Sequence, residues 1–198
     1  MIPELIIQGI GFLGVFCTII SVQFNTHYKI IIFKTLSELF FAIQMLLLGS
    51  YTGVVVEIIG IIRNIVFTYA ILNKKSVKPW IITFVLITLI LGTTTTILSF
   101  NLTLNTIIEK FTNYTLSIVL VCIVTILPMI AKTLSCISYA MKDPHKLRML
   151  NLPSNVCWIV HDSIMFSIAG ILCNVFNIVS ITIAEMRYKK IKKESGSY

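Results

Sequence analysis

Long apolar runs alternate with short polar breaks along the whole chain. A helix needs about 20 apolar residues to cross a bilayer, and by that measure the pattern predicts seven spans. They cover residues 5–22, 30–48, 51–72, 79–100, 114–139, 150–166 and 168–187. The second and third are parted only by the stretch from Gly49 to Gly53, where Gly and Ser break the helix tightly. The sixth is short and punctuated by Pro153, Ser154, Asn155, His161 and Asp162, so six spans is the competing count.

Composition strengthens the membrane reading. The chain is 57% hydrophobic and 12% charged, with mean hydropathy +0.94, whereas a soluble domain is about 45–50% apolar and about 25% charged. A chain of 198 residues cannot hide that much apolar surface inside itself, so lipid is the expected solvent. The fold class is therefore an all-α polytopic membrane protein. The first run begins at once with no basic flank before it, so a cleaved signal peptide is not expected.

Charge then orients the spans. The net charge of +8 would suggest nucleic acid in a soluble chain, but in a membrane chain Lys and Arg gather on the cytoplasmic side. With the N-terminus outside, the outer segments hold only Lys110, and Arg63 and Lys132 lie within spans; every other cation falls on the cytoplasmic side. Merging the last two spans would put the basic C-terminus outside. Seven spans, N-terminus out and C-terminus in, follow, and nucleic acid is not an expected partner.

A repeat is also legible. Sliding residues 50–75 onto 163–188 pairs Ser50 with Ser163, Ile58 with Ile171, and Asn64-Ile65-Val66 with Asn177-Ile178-Val179. The offset is 113 residues, Ser50 to Ser163. Three spans, one linker and three spans give a 3 + 1 + 3 arrangement in which the two three-helix repeats run parallel. The expected division is 1–75 for the first repeat, 76–112 for the linker helix and an outer loop, 113–190 for the second repeat, and 191–198 for a disordered basic tail. The linker's hydroxyls, such as Thr96 and Ser99, can bond their own backbone and need not mark a site.

Polar groups inside apolar spans must find partners or water, so they are the candidate chemistry. Asn174 and Asn177 share a helix face, and their amides can both donate and accept toward an uncharged solute. With Asn64, Trp158 and Arg63 they form the expected substrate-binding set, Trp158 offering a stacking face. Arg63, Lys132, Glu38 and Glu57 carry charge within spans, where each costs about 2.5–3.5 kcal/mol on insertion scales. A Glu38–Lys132 or a Glu38–Arg63 ion pair is expected, as an inner gate or as a static brace. His161 and Asp162, near the outer mouth, read either as gating groups or as a solvated helix end. Pro128 could bend its helix.

The five cysteines, Cys17, Cys122, Cys136, Cys157 and Cys173, all fall in apolar stretches with no metal-ligand spacing. No catalytic motif stands out. No catalytic residue, metal or cofactor is therefore expected, and the partners are a small solute and lipid, with the oligomeric state open.

The 3 + 1 + 3 pattern resembles the SWEET/SemiSWEET/PQ-loop architecture, PnuC-like carriers included. More closely, the chain is similar to YgjV-type bacterial inner-membrane proteins. The matching residues are Leu127-Pro128, Thr133, Ser135, Arg148, Cys157-Trp158 with His161, Gly170, Asn174, Asn177-Ile178 and Arg187, and, in the first half, Leu48-Gly49-Ser50-Tyr51 and Arg63. The SWEET-like pattern implies a Trp on the middle helix and an Asn on the third helix of a repeat facing a central cavity, roles that Trp158 and Asn174 fit. In the first half only Met45 or Leu48 stands near the place of the Trp, and the Pro-Gln signature is absent. The resemblance implies an alternating-access carrier for a sugar, nucleoside or vitamin in the bacterial inner membrane. A non-transporting receptor or assembly factor on the same architecture is the alternative, and an intramembrane enzyme using His161 and Asp162 is a third reading.

Overall fold

The structure is a computed structural model and describes residues 3–23, 27–73, 75–111, 114–139 and 144–194. The described residues form seven helices: α1 (Glu4–Gln23), α2 (His27–Leu47), α3 (Tyr51–Leu72), α4 (Lys78–Phe111), α5 (Tyr114–Tyr139), α6 (Pro144–Met165) and α7 (Ile168–Glu194). The protein is an all-α polytopic membrane protein. Four helices, α1, α3, α4 and α5, hold stretches long and apolar enough to cross a bilayer, and α7 holds a shorter one, Ile168–Ile183. The exceptions are α2 and α6. They carry Lys34, Glu38 and Gln44, and Asn151, Asn155, His161 and Asp162 respectively, and each is walled by protein on two sides.

The packing explains why those two helices are polar. α2 packs between α1 and α3, and α6 between α5 and α7; α3 then meets α5, and α7 meets α1. Six helices thus close into a ring, with α4 outside it against α3 and α5. Side chains such as Leu5, Ile62, Ile97 and Leu98 stay exposed on the rim, where lipid tails solvate them, while polar stripes on α2 and α6 turn inward.

Two boundaries differ from the sequence reading. The outer loop expected at 101–112 is a continuation of α4 to Phe111. Leu104, Ile107, Ile108 and Phe111 recur at helical spacing and pack on Val121, Val124 and Met165, so burial rather than propensity extends the helix. The tail expected to be disordered from 191 is helical through Glu194, and 195–198 lie outside the described residues.

The two three-helix units repeat one another in detail, at a register of 117 residues and not 113. Ser37 donates to the Gly14 carbonyl at 2.8 Å and pairs with Thr18 Oγ1 at 2.7 Å. Ser154, 117 positions after Ser37, donates to the Ala131 carbonyl at 2.9 Å and pairs with Ser135 Oγ at 2.8 Å. The α2–α3 and α6–α7 turns repeat at the same register. Ser50 N–H bonds the Met45 carbonyl at 2.9 Å and Gly49 N–H the Leu46 carbonyl at 3.2 Å. Ser167 N–H bonds the Asp162 carbonyl at 2.8 Å and Phe166 N–H the Ser163 carbonyl at 3.4 Å.

Both turns are Schellman caps, with a left-handed residue just past the helix end: Gly49 at φ 79° and Phe166 at φ 60°. Such a φ strains a phenylalanine by about 1–3 kcal/mol. Contacts on its ring and neighbours hold it there: Phe166 lies 5.7 Å from the Phe111 ring and 5.6 Å from Lys110 Nζ. Lys110, the lone cation assigned to the outer side, donates to the Met165 carbonyl at 3.0 Å and so caps the C-terminal end of α6.

Candidate functional site

At the centre of the ring lies a cavity of about 100 Å³, and every ring helix contributes to its wall. On α2 the lining residues are Lys34, Ser37, Glu38, Phe41 and Met45, spaced so that one helix face supplies all five. On α6 they are Asn151, Ser154, Asn155, Trp158 and Asp162, the same five positions displaced by 117. Thr18 and Ser135 correspond in the same way, as do Glu57 on α3 and Asn174 on α7. The counterpart of Trp158 is therefore Phe41, an aromatic one turn away from Met45 and nearly two from Leu48. Phe41 packs against Gly14 as Trp158 packs against Ala131. The register of 113 had paired Asn64 with Asn177; the pairing at 117 is Gly60 with Asn177.

Of the expected substrate-binding residues, Trp158, Asn174 and Asn177 reach the cavity. Asn64 and Arg63 do not line it. Both are buried behind Glu38: Asn64 Nδ2 donates to Glu38 Oε2 at 3.0 Å, Arg63 Nη2 donates to Asn64 Oδ1 at 2.9 Å, and Arg63 Nη2 reaches Glu38 Oε1 at 3.4 Å. Their place is to orient and neutralise a wall carboxylate. Pro128 is buried in α5, a helix unbroken from Tyr114 to Tyr139, and is not part of the wall.

Both ion pairs considered from sequence are present together. Lys132 Nζ bonds Glu38 Oε1 at 3.1 Å and Glu57 Oε2 at 2.9 Å, while Arg63 also reaches Glu38. Two carboxylates and two cations thus form a charge-balanced, neutral cluster in which the side chains of Arg63, Lys132 and Glu57 are more than nine-tenths buried. Such a cluster tolerates low dielectric because each charge is compensated. Lys132 is its only member from the second unit, so it ties α5 to α2 and α3. The lysine stem runs over Gly60, where any Cβ would collide with it. Glu57, absent from the expected site, is on the wall; its midspan charge was the signal.

His161 and Asp162 are not at a solvated helix end. His161 is fully buried and Asp162 is 1% exposed. His161 Nε2 meets Ser50 Oγ at 2.8 Å, its Nδ1 meets Asp162 Oδ1 at 3.0 Å, and Asp162 Oδ2 accepts from Asn174 Nδ2 at 3.2 Å. The indole of Trp158 stands edge-on to the imidazole at 5.3 Å. A Ser–His–Asp chain normally suggests a hydrolase, but two observations favour a structural role. Ser50 and His161 are not on the cavity wall. Across the pseudo-two-fold, Ser167 Oγ donates to Gln44 Oε1 at 3.1 Å, the same crossing bond with an amide where the imidazole stands. Each crossing bond ties the N-terminus of one unit's third helix to the middle helix of the other.

The site and fold define a membrane protein with an internally repeated ring around a small polar cavity. The chain belongs to the Imp-YgjV family, described as bacterial inner membrane proteins, which it matches over residues 5–192. It is thereby a protein of the bacterial inner membrane. No curated protein and no solved structure matches the chain.

Proposed function

We propose that the protein is a carrier, not an enzyme, that moves a small polar solute across the inner membrane by alternating access. The observation that supports this most is the position of the cavity: it lies on the pseudo-two-fold between two like units, with polar wall residues from both. Carriers built from internal repeats bind cargo at such an interface, and rocking of one repeat on the other opens it to either side. The chain crosses seven times, with the N-terminus outside and the C-terminus in the cytoplasm, as the placement of its cations supports.

Size constrains the cargo. About 100 Å³ is well below the roughly 300–1,000 Å³ typical of sites for drug-sized ligands, so a sugar, nucleoside or vitamin needs the units to part. The Lys132–Glu38–Glu57 cluster is then a gate on the α3–α5 seam, since it links the two units there. Its pseudo-symmetric position on α1 is Val15, so at that position the opposite seam lacks the lysine latch and is the more readily opened.

The test is uptake into proteoliposomes across a panel of neutral solutes of increasing size, with Asn174→Leu as the control. Uptake that saturates and is lost in the variant supports the carrier. Sealed liposomes holding folded protein that take up none of the panel, together with a stable protein partner in mild detergent, would instead favour a receptor.

A further inference from the structure

The cavity wall is chemically divided. Its carboxylates already hold donors: Glu38 those of Lys132, Arg63 and Asn64, Glu57 that of Lys132, and Asp162 those of His161 and Asn174. One wall group is different. Asn155 is 4% exposed, lines the cavity, and its Nδ2 has no hydrogen-bond partner among the described residues. A buried amide donor left unmet is destabilising, so a wall group in this state is poised for an acceptor brought from outside. Its counterpart, Glu38, is the most heavily bonded group on the wall.

We infer that Asn155 donates its Nδ2 hydrogen to an acceptor oxygen of a small uncharged solute, a carbonyl or a hydroxyl. The solute's apolar part lies against Trp158, one turn further along the same face of α6. Charge settles the class. A carboxylate ligand would sit beside Glu38, Glu57 and Asp162, and an ammonium ligand would meet Lys34 and Lys132; only a neutral ligand leaves the neutral cluster intact. The inference names the cargo class of the proposed carrier, but binding can be read without transport.

Trp158 is one of two tryptophans, so Trp80→Phe, on the exposed outer face of α4, leaves it as the sole tryptophan reporter. Purified protein is titrated with acetamide, and with acetate and methylammonium as charged counterparts of similar size. Saturable change with acetamide is expected, at least about tenfold tighter than with either ion, and weakened about tenfold by Asn155→Leu. Asn155→Gln, which keeps the donor, retains part of the binding. An unchanged near-ultraviolet signal of Trp158 checks that each variant is folded.

Equal binding of acetate or methylammonium, no saturable response to acetamide, or an Asn155→Leu variant that binds as well as the parent would each overturn the inference. Acetamide binding that needs Asn155 but is never followed by uptake would overturn the carrier reading and leave this subsite standing.

Discussion

At three positions of the cavity wall the first half of the chain carries a charge where the second carries an amide: Lys34 against Asn151, Glu38 against Asn155, Glu57 against Asn174. The backbone around them is nearly the same. Ser37 and Ser154 make the same bonds to the preceding helix, Ser50 and Ser167 begin α3 and α7 after the same kind of turn, and Gly53 and Gly170 lie under those serine hydroxyls. What differs is how each half satisfies its polar atoms. The ionic half is neutralised by its own Arg63 and by Lys132 reaching across from the other half; the amide half keeps a wall donor without a partner. A duplicated scaffold thus holds its serines and glycines where the backbone needs them, and its wall residues diverge into a brace on one side and a recognition surface on the other.

The largest expected break of this contrast is Lys132→Ala. It strips both wall carboxylates of their shared cation while the burial remains, at a cost of about 3–5 kcal/mol, to be measured by unfolding in mixed micelles. Asn155→Ala, at the wall position that corresponds to Glu38, removes a group already without a partner and should cost less than 1 kcal/mol. Comparable losses in the two variants would contradict the division into brace and recognition surface.

Next in size are the two close approaches. Gly60→Ala pushes a methyl group into the Lys132 stem, and Gly170→Ala pushes one into the Asp162 carboxylate. Each should destabilise by about 1–3 kcal/mol through overpacking. The two losses differ in kind: in a Lys132→Ala background the added cost of Gly60→Ala should fall while that of Gly170→Ala persists, as judged by melting temperature.

The smallest effect is the most symmetrical. Ser50→Ala and Ser167→Ala each remove one crossing bond, worth roughly 0.6 kcal/mol and at most about 1.7 kcal/mol in a membrane bundle. If His161 serves only as the partner of Ser50, the two variants should lose similar stability and uptake should persist in both. Abolished activity in Ser50→Ala alone would restore a catalytic reading of the Ser50–His161–Asp162 chain.

Much of the architecture was legible in the apolar pattern, because spans are long signals and the breaks at Gly49 and Phe166 are short. The repeat register was not. In an Ile-rich chain, matches such as Asn64-Ile65-Val66 with Asn177-Ile178-Val179 arise at the wrong turn of a helix. The true correspondence rests on single residues, Ser37 with Ser154 and Gly53 with Gly170, whose meaning lies in backbone contacts. The same four-residue error hid Phe41 as the partner of Trp158. Charge within spans correctly drew attention to Glu38 and Lys132. Asn64 and Arg63 are polar at midspan for another reason, since they serve Glu38 from behind. Nothing in the local sequence distinguishes Asn155, whose interest comes from a partner it lacks, from Asn151 four residues earlier.

The central claim is that the wall between the two units opens to water on either side in turn. In a background with Cys17, Cys122, Cys136, Cys157 and Cys173 replaced by Ala, Asn174→Cys on the cavity wall and Val175→Cys on the lipid face can be labelled in sealed, oriented vesicles. The reagent is a membrane-impermeant thiol reagent. The account predicts that the cysteine at 174 reacts from both sides and the one at 175 from neither. Labelling of 174 from one side only, or from no side, would contradict it.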